Sequence, residues 1–312
     1  MKHIFIVNLM SGNGKRHQSL IDDINRICDE RKLDYEVRLT EYPLHAKEIV
    51  KTVLADNTDV RFYACGGDGT VNEVACGIVE CGCGELAVIP IGTGNDFVRS
   101  FAPDGDYMSL ENQLSGKSVK IDAVSVGTDF FVNILNVGFD SAVVRTIANL
   151  RNKSSIMRGK FAYIIGLIIN LFKMPKTTLR CEFDDGDIVE GKFLLSAFSN
   201  GRFYGGGFQP AANAELDDGM LDILFVRPCS RMTFLSLVGK YKKGTLMGCK
   251  RAEKYVVSKK CKSLKVTFSP ESSVCVDGEM TDVHSFDMKV LPLSLALSLP
   301  CKERSFELCE IH

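Results

Sequence analysis

The chain has 312 residues, 45% of them apolar and 25% charged, which is enough for a full core and for two domains. A net charge of −1 gives no global electrostatic case for nucleic acid, so none is expected as a partner. Twelve cysteines lie scattered through apolar runs such as "CGIVECGCGE", and "MKHIFIVNLM" has no signal-peptide cleavage site; both exclude a disulfide scaffold and favour free thiols in a cytoplasmic protein.

Along the chain, "HIFIVN" (3–8) reads as a buried strand and "LMSGNGKR" as a glycine-rich loop. "QSLIDDINRICDER" (18–31) places Leu20, Ile21, Ile24, Ile27 and Cys28 on one helical face. Strand "YEVRLT", helix "HAKEIVKTVLAD", strand "VRFYAC", helix "VNEVACGIVE" and strand "ELAVIPI" follow. This alternation predicts an α/β domain with a doubly wound parallel sheet, whose loops after Asn8, Thr40, Cys65 and Ile91 share one edge. After about residue 120 the pattern changes. "SVKIDAVSVGTDFFVNILNVG" reads as two strands about Gly127-Thr128, and "TTLRCEFDDGDIVEGKFLLSAFSN" as a hairpin bending at Asp185-Gly186. "GMLDILFV", "SLKVTFS", "SVCVDGEM" and "SFDMKVLPLSLAL" add short strands, with helical stretches near 158–173 and 230–242. The expectation is an antiparallel β-sandwich as domain two. The domains are 1–120 and 121–312, with a cleft between them and the last residues packing back on the first domain. "FAYIIGLIINLF" (161–172) is 12 residues, against roughly 20 needed to span a bilayer, and reads as a buried or interfacial helix.

Glycine turns carry the chemistry. Gly12-Asn13-Gly14-Lys15-Arg16 lacks the Walker A spacing, and the dinucleotide fingerprint fails at His17. In "GGDGT", Gly66, Gly67 and Gly69 let a ligand approach the backbone, while Thr70-Val71-Asn72-Glu73 fits a capping box. Capping explains Thr70 and Glu73 without any ligand; it leaves Asp68 unexplained. Free amides at a helix N-terminus attract anions, and a carboxylate shares that space with phosphate when Mg²⁺ lies beside them. A second turn, Gly92-Thr93-Gly94-Asn95-Asp96, puts another acid at the same sheet edge. Asp185-Gly186 and Gly205-Gly206-Gly207 read as structural, the latter for close backbone packing. Cys81-x-Cys83 has no second cysteine pair or histidine cluster for zinc.

"GGDGTVNEV" (66–74), "IPIGTGNDFVRS" (90–100), "NVGFDSAVV" (136–144), "YGGGFQPAANAELDDGMLDILFV" (204–226) and "VDGE" (276–279) resemble the diacylglycerol kinase catalytic-domain family of bacterial soluble lipid kinases. GGDGT alone is shared with NAD kinases; the ordered set over nearly the whole chain is specific. The resemblance implies ATP and Mg²⁺ as cofactors, ATP between the domains, and an acyl-chain pocket in the second. By matching position it assigns nucleotide contacts to Asn8, Ser11, Gly12, Thr40, Gly66, Gly67, Asp68, Gly69, Thr70, Val71, Asn72, Glu73, Thr93 and Asn95. Leu9 replaces the proline usual in the family's opening motif. A structural Mg²⁺ site falls on Glu215, Asp218 and Met220, the outer two through backbone carbonyls. Asp68, Asp96, Asp122 and Asp277 would form an aspartate–water–metal network, with Glu279 the proton acceptor.

The reaction implied is transfer of the γ-phosphoryl group of ATP to a lipid hydroxyl, with diacylglycerol becoming phosphatidic acid. Phosphatidylglycerol or a sphingoid-type lipid as substrate, an NAD-kinase-like activity and a non-catalytic nucleotide- or lipid-binding regulator are the alternatives. Residues 240–265 hold ten Lys and Arg against the single acid Glu253. With Arg145, Arg151, Lys153, Arg158 and Lys160 beside the apolar 161–172 stretch, this suggests peripheral attachment to an anionic membrane; the structural reading is a solvated face over a core helix. The sequence is compatible with a homodimer and does not decide oligomeric state.

Overall fold

A computed structural model describes residues 1–12, 17–101, 106–153 and 160–301. Arg158 therefore lies outside the described residues, as do the side chains of Arg151, Lys153 and Lys160 and the chain beyond Cys301. The chain forms two compact units, Met1–Ala123 with Pro292 onward, and Val124–Leu291.

The first unit runs β1 (Lys2–Val7), α1 (His17–Glu30), β2 (Tyr35–Leu39), α2 (His45–Asp56), β3 (Val60–Gly66), α3 (Asp68–Cys81), β4 (Glu85–Pro90), a 3-10 turn at Phe97–Ser100, α4 (Leu110–Leu114) and the first part of β5 (Lys117–Val126). The strands lie in the order β2-β1-β3-β4, all parallel, as the βα alternation requires. Apolar residues fill both faces of the central strands: Ile4–Val7 and Phe62–Cys65 have no exposed surface. The predicted α1 face does pack inward, with Leu20, Ile24, Ile27 and Cys28 against Phe5, Val7, Tyr63, Cys65, Ala87 and Ile89. Helices α2 and α3 meet closely at Gly77, where a Cβ would stand 2.9 Å from the Val50 side chain. These contacts hold the carboxyl ends of β1, β3 and β4 in a rigid frame.

The second unit runs β6 (Asp129–Phe131), β7 (Ile134–Gly138), α5 (Phe139–Lys153), α6 (Lys160–Lys173), β8 (Thr177–Phe183), β9 (Ile188–Phe193), β10 (Leu195–Ser199), β11 (Leu221–Val226), α7 (Arg231–Lys242), β12 (Val256–Cys261), β13 (Ser263–Val276) and β14 (Glu279–Leu299). The chain returns to the first unit within β14, whose Ala296 and Leu297 pair with β4. The ladder β12-β11-β10-β7-β13 is antiparallel throughout. β13 pairs first with β8 and then with β7, on either side of a register shift between Thr267 and Ser272, so one strand serves two parts of a sandwich. Period-two alternation divides β10: Phe198 joins Phe193, Phe225, Phe268 and Phe286 in the main core, and Leu195 and Ala197 face a smaller core with Leu237 and Tyr241 of α7.

The expected architecture of a parallel α/β domain followed by a β-sandwich-like domain is the one found. Local details differ. The stretch read as two strands about Gly127-Thr128 is three, because the amides of Val132, Asn133 and Ile134 turn to the Asp277 carboxylate. "SLKVTFS" and "SVCV" are one strand, β13, and helix α5 was not anticipated. At Gly206 close packing is not the reason for glycine, since a Cβ there would meet nothing within 4 Å. Gly205, Gly206 and Gly207 all have positive φ (59°, 84° and 104°), which side chains disfavour.

Candidate active site

Helix α3 begins one residue after β3 ends. Its N-cap, Gly67, is extended and supplies no side-chain cap to the first amides. Thr70 lies inside the helix, 4% exposed, and its Oγ1 accepts a hydrogen bond from Asn8 Nδ2 at 3.0 Å. Glu73 Oε2 accepts from the Ala46 amide at 3.1 Å, which fixes the start of α2. The capping-box expectation therefore fails: the helix starts earlier than the sequence suggests, and both side chains serve neighbouring elements. Gly66 is required by this fold-back, since a Cβ there would stand 2.3 Å from Thr70 Oγ1.

The second glycine turn comes to the first. Gly92 N donates to Gly66 O at 3.1 Å, and a Cβ on Gly92 would lie 2.4 Å from the Gly67 Cα. Asn95, at φ 53°, holds the turn by donating Nδ2 to the carbonyls of Pro90 (3.0 Å) and Gly92 (2.9 Å). Phe97 N donates to Asp68 Oδ1 at 3.0 Å. A Cβ on Gly94 would stand 2.7 Å from Asp68 Oδ2 and 3.7 Å from Asp96 Oδ2, so two acids from two turns flank one glycine. Arg99 neutralises part of that charge, donating Nη1 to Asp96 Oδ1 and Nη2 to Gly94 O, each at 3.0 Å. Asp122 is fully buried, and its Oδ1 accepts from Leu293 N at 2.8 Å.

The loop after β1 joins the same edge. Gly12 has φ 66°, and a Cβ there would lie 2.4 Å from Ile91 O. Asn8 also anchors its own loop, its Oδ1 accepting from Met10 N and its carbonyl from Ser11 N. Thr40 N donates to Val7 O at 3.1 Å. Thr93 is exposed; Val71 is buried and lines a small gap with Gly66, Gly67, Asp68, Asn95 and Phe97, and Asn72 accepts from the Cys76 thiol.

In the second unit Asp277 and Gly278 form a two-residue hairpin turn, φ 44° and 99°, between the paired residues Val276 and Glu279. Asp277 Oδ2 accepts from the amides of Val132 (3.0 Å) and Asn133 (3.2 Å), and Oδ1 from Ile134 (2.7 Å). Glu279 is exposed at the start of β14. Asp218 Oδ1 accepts from Met220 N at 2.9 Å, and its Oδ2 bonds Lys260 Nζ at 2.6 Å. Glu215 is exposed. Among the described residues, no three His, Cys, Asp or Glu side chains gather as a metal cage, and no helix is long and apolar enough to cross a membrane.

Sequence reasoning missed one buried group. Asp140, at the start of α5, accepts a hydrogen bond from the Tyr204 hydroxyl, which lies 2.6 Å from that of Tyr241. Burial pushes the Asp140 carboxyl up to about 6, against the opposing effect of both tyrosines. The sequence signal was an acid directly after the apolar run "NILNVGF".

Comparison with known proteins matches the chain in two parts. Residues 2–126 match the diacylglycerol kinase catalytic domain, and residues 133–299 match the YegS C-terminal NAD kinase beta sandwich-like domain. A "Probable lipid kinase YegS-like" of Pseudomonas aeruginosa (strain UCBPP-PA14) is 31% identical over 267 residues, covering 85% of this chain and 84% of the relative. A "Diacylglycerol kinase" of Bacillus subtilis (strain 168) is 27% identical over 219 residues, 69% of this chain and 70% of the relative. The crystal structure of a diacylglycerol kinase from Bacillus anthracis str. Sterne superposes with a TM-score of 0.71 at 20% identity, over 96% of each chain, which speaks to the fold alone. The chain belongs to the family of bacterial lipid kinases that join a diacylglycerol kinase catalytic domain to a YegS-type C-terminal domain.

Proposed function

We propose that the protein phosphorylates the free hydroxyl of diacylglycerol, using ATP, to give phosphatidic acid. The observation that carries this reading is the joining of the Gly66–Thr70 and Gly92–Asp96 turns, backbone to backbone, at the uncapped start of α3. Amides at Gly67, Asp68 and Gly69 are placed to receive phosphate oxygens, and Asn8, Ser11, Gly12, Thr40, Thr93 and Asn95 border the nucleotide. Val71, Asn72 and Glu73 contribute through the helix they build. Asp68 and Asp96 present hard oxygen donors beside Gly94, a donor set that suits Mg²⁺, and Asp122 supports the same network. Mg²⁺ bound there would offset charge developing on the transferred phosphoryl group.

In the proposed step the lipid oxygen forms a bond to the γ-phosphorus and the bond to the β,γ-bridging oxygen breaks, releasing ADP. The hydroxyl proton goes to Glu279, while Asp277 positions the turn that carries it. Membrane attachment is part of the reading. In the basic stretch, Lys259 pairs with Asp187 and Lys260 with Asp218, but Lys240, Lys242, Lys243, Lys250, Arg251 and Lys254 are exposed. Ile168 and Phe172 of α6 and Met232 and Leu235 of α7 are exposed apolar residues of the same unit, and Arg231 Nη2 of α7 donates to Phe172 O at 2.6 Å. They support salt-sensitive contact with an anionic bilayer.

The test is transfer of label from γ-labelled ATP with Mg²⁺ to mixed micelles of diacylglycerol, phosphatidylglycerol or sphingosine. Labelled phosphatidic acid, lost in Asp68→Ala, is the expected result; label only in another lipid would move the substrate assignment. No labelled lipid from the wild type would overturn the reading.

A further inference from the structure

We propose that Lys260 is a built-in cation at the Asp218 turn, in the place where the family resemblance puts a structural Mg²⁺. The argument begins with register. Asp222 of β11 and Lys260 of β12 are direct partners across an antiparallel ladder, so the lysine side chain leaves the sheet beside Asp218 and Asp222, two of the three acids of "DDGMLD". Its Nζ reaches Asp218 Oδ2 at 2.6 Å and Asp222 Oδ2 at 3.4 Å. The second oxygen of Asp218 is also engaged, accepting from Met220 N at 2.9 Å to close the turn over Gly219, whose φ is 69°.

Both Asp218 oxygens are therefore in use before any metal arrives. Mg²⁺ takes near-ideal octahedral oxygen geometry and surrenders its waters reluctantly. Here it would have to displace an ammonium fixed by a strand, or sit beside that charge. Asp218, the side-chain donor of that set, does not fit it as it stands, with Lys260 on one oxygen and Met220 N on the other. A lysine tethered by β12 neutralises Asp218 and Asp222 together, and cross-strand pairs of opposite charge are favourable. The second unit then needs no divalent cation at this turn, and any Mg²⁺ requirement of the protein belongs to the nucleotide.

This inference concerns the structural Mg²⁺ that the resemblance puts at Glu215, Asp218 and Met220, not the Mg²⁺ of the proposed function, and its test uses neither ATP nor lipid, so the two fail separately. Thermal unfolding of the full chain is followed in excess EDTA and in millimolar Mg²⁺ at matched ionic strength. The wild type is expected to unfold at the same temperature in both. Lys260→Met is expected to unfold several degrees lower in EDTA and to recover part of that loss with Mg²⁺; Lys260→Arg keeps the charge and stays insensitive to Mg²⁺. Failure of Lys260→Met to fold while Lys260→Arg folds also counts for the proposal. It is overturned if Mg²⁺ raises the wild-type melting temperature in a way that Asp218→Asn abolishes. It is equally overturned if Lys260→Met is as stable as the wild type in EDTA.

Discussion

The second unit contains two hairpin turns built on the same dipeptide, Asp185-Gly186 and Asp277-Gly278. Both glycines have positive φ, 87° and 99°, and a Cβ on either would meet nothing within 4 Å. The aspartates part company. Asp185 Oδ1 accepts only from Asp187 N, two residues on, in a local turn at an exposed bend. Asp277 gathers three amides from residues 132–134, more than 140 positions away in sequence, where the chain passes from β6 to β7. A turn dipeptide specifies a backbone path, while the work of its carboxylate depends on which chain lies opposite.

The largest expected difference concerns the acid that follows each glycine pair. Glu279→Gln should reduce lipid phosphorylation by about 100-fold or more, with the melting temperature unchanged. Asp187→Asn, which removes only an ion pair with Lys259, should leave turnover as it was. Equal activities in the two variants would break the comparison at its functional end.

Next is the carboxylate in the turn. Asp277→Ala should cost about 3 kcal/mol in denaturant-derived stability, because three amides lose a charged acceptor. Asp185→Ala should cost less than about 0.5 kcal/mol.

Asp140 extends the contrast to an acid with no amide partners. Its carboxyl is raised from 3.8 to about 6, so the folded state holds the proton more tightly than the unfolded chain. Its stabilising effect is complete below about pH 4 and is lost as pH rises to about 6, a swing of roughly 3 kcal/mol at most. Asp140→Asn should remove that dependence and gain stability relative to the wild type between pH 4 and 7, read from urea midpoints.

The smallest effect tests what the two turns share. Gly186→Ala and Gly278→Ala should each cost about 1 kcal/mol, from the left-handed conformation alone. A much larger loss at Gly278 would mean that the turn is under additional constraint.

The first unit was legible almost element by element, because each strand or helix announces itself through its own period and ends at a glycine or polar break. α2 is the clearest case, with Ala46, Val50 and Leu54 buried at helical spacing. Thr70 and Glu73 show the limit. Their spacing is right for a capping box, yet the hydroxyl bonds Asn8 and the carboxylate bonds the Ala46 amide, partners 62 and 27 residues distant. The acids of the candidate site were picked out by motif order; their partners were not. Nothing around "DDGMLD" reveals Lys260, since that contact follows from the β11–β12 register.

Sequence alone determined the alternation of strand and helix, the change to antiparallel strands after the first domain, and the tight turns marked by glycine. These are consequences of side-chain period and of backbone sterics within a few residues. Tertiary structure decided which oxygen of each aspartate is engaged and by what, because a hydrogen bond is set by distance and angle between segments that no local pattern brings together.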